Sequence, residues 1–221
     1  MASSPDRLSA LQRAVLSEFF ARERAFFLTG GGALAGFHLR HRETMDLDLF
    51  TTEPDAFERG GFVLADVARR LGATLVVRQQ APGFRRVVIE RDGDGVVVDV
   101  VLDEVAQAVP DKLEIEGVRV DPVREILANK LCAVVGRAEI RDVVDLWTLE
   151  QHGFAMESGL ADALAKDGGC TAANLAWLLG QIVVSDDARL PGSVPAETLR
   201  AWLAEVTQRL RRRAMSDASP Q

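Results

Sequence analysis

Hydrophobic positions change their period twice along this chain, and the changes divide it. Leu8, Leu11, Val15 and Phe19 recur at helical spacing, which predicts an amphipathic first helix over residues 5 to 23. The apolar run Ala25 to Thr29 reads as a short buried strand. Gly30-Gly31-Gly32 turns the chain, and a helix follows from about Ala33 to Leu39. Met45 to Thr51 alternates as a strand should, and Asp55 to Leu71 returns to helical spacing through Phe57, Leu64, Val67, Ala68 and Leu71. Three further strands are expected at 74–79, 84–91 and 96–102. Asp92-Gly93-Asp94-Gly95 makes the turn between the last two, because glycine supplies the positive φ of a tight hairpin. From Asp121 the pattern is helical only, with Asp121 as N-cap and Pro122 at the first helical position. Helices are predicted at 122–136, 140–151, 158–166, 171–184 and 195–213, broken at Gly153, Gly168-Gly169 and Pro191-Gly192-Ser193. The expectation is an α+β fold: a mixed β-sheet domain with flanking helices over residues 1–118, then an α-helical domain over 119–221.

Chemistry concentrates at Leu28 to Phe50. Asp46 and Asp48 lie one residue apart on a strand, so both project from one face while Leu47 and Leu49 pack on the other. Two such carboxylates suit Mg²⁺, a hard cation that takes one or two carboxylates plus substrate phosphates. Gly30, Gly31 and Gly32, between strand and helix, offer backbone N–H groups to a phosphate. Asp99 interrupts the apolar strand Val96 to Val101, and a carboxylate there needs a partner or a metal. It completes a three-carboxylate set with Asp46 and Asp48, or else faces water near the strand end. Lys130 lies on the apolar stripe of Ile126, Leu127, Leu131 and Val134. Its stem either snorkels to the surface or presents the ammonium to a triphosphate, to Asp142 or to Asp145. Asp142 and Asp145 share a helix face and call for a cation between them, with Lys130, Arg137 and Arg141 the candidates. Asp142 also reads as a favourable first-turn carboxylate. Trp147, Trp177 and Trp202 read as packing residues.

Composition narrows the picture less. At 221 residues, 48% hydrophobic and 27% charged, the chain has the make-up of a soluble globular protein, with Met1 to Pro5 and Ser216 to Gln221 as candidates for disorder. A net charge of −7 gives no global basic field for nucleic acid. Local basic groups are His38, Arg40, His41 and Arg42 beside the carboxylate pair, and Arg209, Arg211, Arg212 and Arg213, read as solvated cations near a helix C-terminus. Cys132 and Cys170 lack metal-ligand spacing and read as small buried residues in helices of a protein from a reducing compartment. No signal peptide or membrane-length apolar run is seen, so the expected location is cytoplasmic, without a membrane partner.

Together these residues resemble the nucleotidyltransferase toxins of the AbiEii/AbiGii type, within the DNA polymerase β-like nucleotidyltransferase superfamily. The resemblance rests on Phe27-Leu28-Thr29-Gly30-Gly31-Gly32-Ala33-Leu34, His41-Arg42, Met45-Asp46-Leu47-Asp48-Leu49-Phe50, Lys130-Leu131 and Arg141-Asp142-Val143-Val144-Asp145-Leu146. It covers about residues 15 to 150. It implies a nucleotidyltransferase-like sheet domain and transfer of a nucleoside monophosphate from an NTP to an acceptor, with pyrophosphate leaving. Asp46 and Asp48 would hold Mg²⁺ on the triphosphate, and Asp99 is the candidate for third carboxylate or for the base that accepts the acceptor hydroxyl's proton. Gly30, Gly31, Gly32, Arg42 and Lys130 would meet the nucleotide, and Lys130 and Asp145 match the family's later functional motif. The implied acceptor is tRNA or another RNA, in a bacterial toxin–antitoxin or phage-defence pair with a cognate antitoxin. Gly32 stands where relatives commonly carry Ser or Thr. Two other readings stay open: a small-molecule nucleotidyltransferase of the antibiotic type, which the acidic charge favours, and a non-catalytic nucleotide-binding module, which Gly32 permits.

Overall fold

A computed structural model describes residues 7–218. Helix α1, Ala10–Phe20, starts at a capping box: Ser9 Oγ accepts from the Gln12 amide, and Gln12 Oε1 accepts from the Ser9 amide. This cap sets the helix start well inside the expected span. Strand β1 is Phe27–Thr29, and α2, Gly30–Ala33, runs into a π-helical turn, Leu34–His38, closed by the Leu39 amide on the Leu34 carbonyl at 2.7 Å. Strand β2 is Asp46–Thr51 and helix α3 is Pro54–Arg70. Then come β3 (Thr74–Ala81), β4 (Phe84–Arg91) and β5 (Asp94–Leu102), the last two joined by a two-residue turn with Asp92 and Gly93 at φ 54° and 82°.

Two strands escaped the sequence reading, β6 (Leu113–Ile115) and β7 (Val118–Val120). Three residues each is too short for a period to show. The strands form one seven-stranded sheet in the order β3-β4-β5-β2-β1-β7-β6. β2 runs parallel to β5 and β1 parallel to β7, while the other neighbours are antiparallel. One face carries Leu28, Leu47, Leu49, Val87, Ile89, Val96, Val98 and Val100, all buried, with α1 and α3 packed against it. The alternation of β2 and β5 therefore sends Asp46, Asp48 and Asp99 to the opposite face.

Helices α4 (Val123–Gly136), α5 (Ile140–Gln151), α6 (Met156–Lys166), α7 (Ala172–Gly180) and α8 (Ala196–Ala218) follow, with a 3₁₀ turn at Pro191–Ser193 before the last. α4 begins one residue after Pro122, and the side chain of Asp121 is engaged by Lys112 Nζ at 2.7 Å. By internal contacts the chain forms two units: residues through Val105 with Val109–Val123, and Ala106–Ala108 with residues from Arg124 onward. Pairing of β7 with β1 explains why the first unit runs past residue 118. The expected disorder at Met1 to Pro5 lies outside the described residues, as does the end of the C-terminal stretch, whereas Ser216 to Ala218 continue α8. Because α8 extends this far, the arginine cluster sits inside the helix. Arg209 is tied down by Glu150 and Glu157, and Trp202 donates to Glu150 at 2.6 Å. Trp177, expected in the packing, is 61% exposed. Cys170 lies just before α7 rather than within a helix, 3.6 Å from Cys132, and burial with the Cys132 contact pushes its thiol up to about 12. No helix among the described residues is long and apolar enough to cross a membrane.

Candidate functional site

The sheet's register builds a row of polar side chains. Thr29 stands opposite Asp48, Asp48 beside Asp99, Asp99 opposite Arg86 and Arg86 opposite Gln79. Residues in register on neighbouring strands share a face, about 5 Å apart at Cα, so β1, β2, β5, β4 and β3 each contribute one member. Asp46 lies one row away, beside Val97. The adjoining row on the other side is apolar: Phe27, Phe50, Val101, Phe84 and Ala81.

Asp99 does not face water. It is 6% exposed, and Arg86 grips it with two bonds, Nε to Oδ1 at 2.7 Å and Nη2 to Oδ2 at 2.6 Å. The Asp99 hydrogen bond, offset in part by burial, holds the Arg86 guanidinium above its usual range, and the charges of Asp99, Asp46 and Asp48 add to it. Thr44 Oγ1 donates to Asp46 Oδ1 at 2.9 Å. Among the described residues no group of three or more His, Cys, Asp or Glu side chains is arranged to hold a metal ion. Asp46 and Asp48 nevertheless have the chemistry and shared face for Mg²⁺, which needs only one or two protein carboxylates when phosphate and water supply the rest.

The glycine turn is built against these carboxylates. Gly30 has φ +63°, and a Cβ there would stand 2.2 Å from Asp48 Oδ2, so both conformation and space demand glycine. A Cβ on Gly31 would meet Arg42 Nη2 at 2.6 Å: Arg42, buried, lays its guanidinium on the turn and donates to the Glu43 carbonyl. At Gly32 a Cβ would make only ordinary contacts, 3.4 Å from the Asp46 carbonyl oxygen and slightly farther from Leu28 and Leu47. Space for a Cβ therefore does not demand glycine here, unlike at Gly30. Thr29, the N-cap residue of α2, makes no capping bond, and its buried hydroxyl has no hydrogen-bond partner. His38 leaves the expected basic patch. Its Nε2–H donates to the Asp121 carbonyl at 2.8 Å, and burial lowers its pKa more than that bond raises it, so it is held neutral.

In the helical unit, Lys130 of α4 bridges Asp142 Oδ1 at 2.8 Å and Asp145 Oδ2 at 2.6 Å of α5. Arg137 adds two bonds to Asp142, at 2.9 and 3.1 Å. Arg141 pairs with Glu139 at 2.6 Å. The Lys130 side chain is 6% exposed and both carboxylates are fully buried. Burial alone would lower the Lys130 pKa, but Asp145 and then Asp142 outweigh it and hold the ammonium above its usual range. Burial likewise opposes ionisation of Asp142, and Arg137 followed by Lys130 keeps it below the ordinary carboxylate range.

Register brings Asp46, Asp48 and Asp99 to one face of the sheet unit with the glycine turn and Arg42, while Lys130, Asp142 and Asp145 form their own cluster in the helical unit. The sequence reading missed Arg86, Thr29 and Thr44. Arg86 was within reach: a two-residue turn pairs Arg91 with Asp94, and counting back five residues on each strand pairs Arg86 with Asp99.

Over residues 10–218 the chain matches the family described as nucleotidyl transferase AbiEii toxin, type IV TA system. Two solved structures from Helicobacter pylori share its fold. One, described as a candidate nucleotidyltransferase, has 19% identity and a TM-score of 0.62, over 95% of this chain and 96% of that one. The other, JHP933, has 19% identity and a TM-score of 0.61, over 94% of this chain and 92% of that one. No curated protein matches.

Proposed function

Since the chain belongs to the AbiEii family of nucleotidyl transferase toxins of type IV toxin–antitoxin systems, we propose that it moves a nucleoside monophosphate from an NTP to an RNA acceptor, most simply tRNA, in a Mg²⁺-dependent reaction. The family makes it a transferase and implies a cognate antitoxin. The observation that carries the proposal is the Asp46–Asp48 pair set directly against the Gly30 turn, so that carboxylates for a metal and backbone N–H groups for phosphates share one corner of the sheet.

Asp46 and Asp48 would hold the Mg²⁺, with Asp99 next in the row. When bound, the ion neutralises charge on the triphosphate and on the leaving pyrophosphate. Arg42 braces the turn and adds a positive charge at its back. Thr29 brings a hydroxyl from the strand side, next to Asp48, and so supplies from another position what Gly32 lacks. Lys130, kept charged by the two aspartates that hold it, would be the cation that neutralises phosphate charge. Asp145 then serves to position Lys130. The remaining work is to align the acceptor hydroxyl with the α-phosphorus opposite the leaving group.

The test is incubation with each labelled NTP, Mg²⁺ and total RNA. Label should enter RNA of tRNA size and disappear with Asp48→Ala. Transfer to small molecules in place of RNA would favour the antibiotic-type reading, to which the net charge of −7 is better suited than to a large polyanion. Binding of NTP without transfer to any acceptor would leave the non-catalytic reading.

A further inference from the structure

Arg86 is the cation in a row otherwise made of carboxylates and neutral groups. Asp48 and Asp99 sit side by side on parallel strands with Asp46 one row away, so three negative charges share a small part of one face. Arg86 grips one of them, Asp99. It arrives from the far side of β5, engages both oxygens of Asp99, and feels Asp46 and Asp48 as well. Its side chain is 44% exposed and its guanidinium lies 5.8 Å from the centre of the Phe84 ring, so it can leave Asp99 without opening the core.

We propose that Arg86 is the resident counter-ion of the carboxylate row: it competes with a divalent cation for Asp99 and so keeps metal binding weak until a triphosphate arrives with the metal. The inference rests on the reading of Asp46 and Asp48 as the metal-binding pair. A dication entering beside a guanidinium is repelled, and Asp99 is shared between the two. An NTP brings enough negative charge to accept the guanidinium once Asp99 turns to the metal, so nucleotide and metal favour one another's binding. Arg86 is thereby a positioning residue, acting through Asp99 and the row's charge.

The test is calorimetric titration of the full chain with Mn²⁺ alone. Arg86→Gln should bind Mn²⁺ about tenfold more tightly than wild type, and its melting temperature should rise more on adding Mn²⁺. Arg86→Lys, which keeps the charge but not the fork, should stay within about threefold of wild type. It also serves if the glutamine variant does not fold. Unchanged or weaker Mn²⁺ binding by Arg86→Gln, with wild-type binding intact and abolished by Asp48→Asn, overturns the role of Arg86 and leaves the metal pair standing. For the lysine variant alone, tightening as large as tenfold overturns the charge argument. Absence of Mn²⁺ binding in wild type and Arg86→Gln alike, or binding that survives Asp48→Asn, overturns the metal pair itself and this inference with it.

Discussion

Two clusters of charge, one on the sheet and one among the helices, use the same residue types to opposite ends. In the helical unit, Lys130 and Arg137 face Asp142 and Asp145, two charges against two, with both carboxylates fully buried. On the sheet, Asp46, Asp48 and Asp99 share one face beside a glycine turn whose tightest contact is an Asp48 oxygen, with Arg86 on Asp99 and Arg42 against the turn. A balanced buried cluster is complete as folded, and removing one member leaves an uncompensated charge. Carboxylates gathered on a sheet face beside backbone N–H donors suit a divalent cation that brings phosphate with it. Burial thus separates a cluster complete as folded from a row that recruits a ligand.

The largest effect expected is at Asp48: alanine should lower transfer by about a thousandfold or more while leaving the melting temperature within a few degrees. A comparable loss of stability would place Asp48 with the balanced cluster. Next is Lys130→Met, which leaves Asp145 buried against an apolar side chain and should cost about 3 kcal/mol of stability, read from urea unfolding. Wild-type stability would show that the remaining partners of Asp142 and Asp145 suffice without the lysine. Thr29→Val removes a buried hydroxyl that has no protein partner, so stability should hold while transfer falls roughly tenfold, the worth of one hydrogen bond to a charged group. A loss of stability with full activity would make the hydroxyl structural. The smallest effect is in pH. Asp142, held below the ordinary carboxylate range, contributes stability that is complete above the normal value near about 3.9 and is lost as pH falls through its lowered one. Lys130, held above its usual range, contributes fully below about 10.4 and loses that contribution as pH rises beyond. A urea-midpoint series should show a plateau between these limits, with the acid limb shallower in Asp142→Asn.

Much of this was legible in the sequence because it depends on local period. The alternation of β2 fixed which face Asp46 and Asp48 share, and helical spacing put Lys130 on an apolar stripe and Asp142 with Asp145 on one face, so that each called for a partner. What escaped depends on register between strands. Arg86 is thirteen residues from Asp99 in the chain, and only the hairpin's pairing brings them together. Thr29 looked like the end of an apolar run until β1 paired with β2. The strands β6 and β7, too short to show a period, decide where the first unit ends. Gly32 looked like a missing phosphate-binding hydroxyl, whereas its surroundings are the Asp46 carbonyl, Leu28 and Leu47, and hydroxyls stand instead at Thr29 and Thr44.

The most direct test of the charge contrast is NTP binding measured with and without Mg²⁺ in wild type, Asp48→Asn and Asp142→Asn. Binding should require Mg²⁺ in wild type, should be lost in Asp48→Asn, and should persist with its Mg²⁺ dependence in Asp142→Asn. Mg²⁺-independent binding unaffected by Asp48→Asn, or Mg²⁺ dependence abolished by Asp142→Asn alone, would contradict the assignment of the metal-nucleotide site to the sheet.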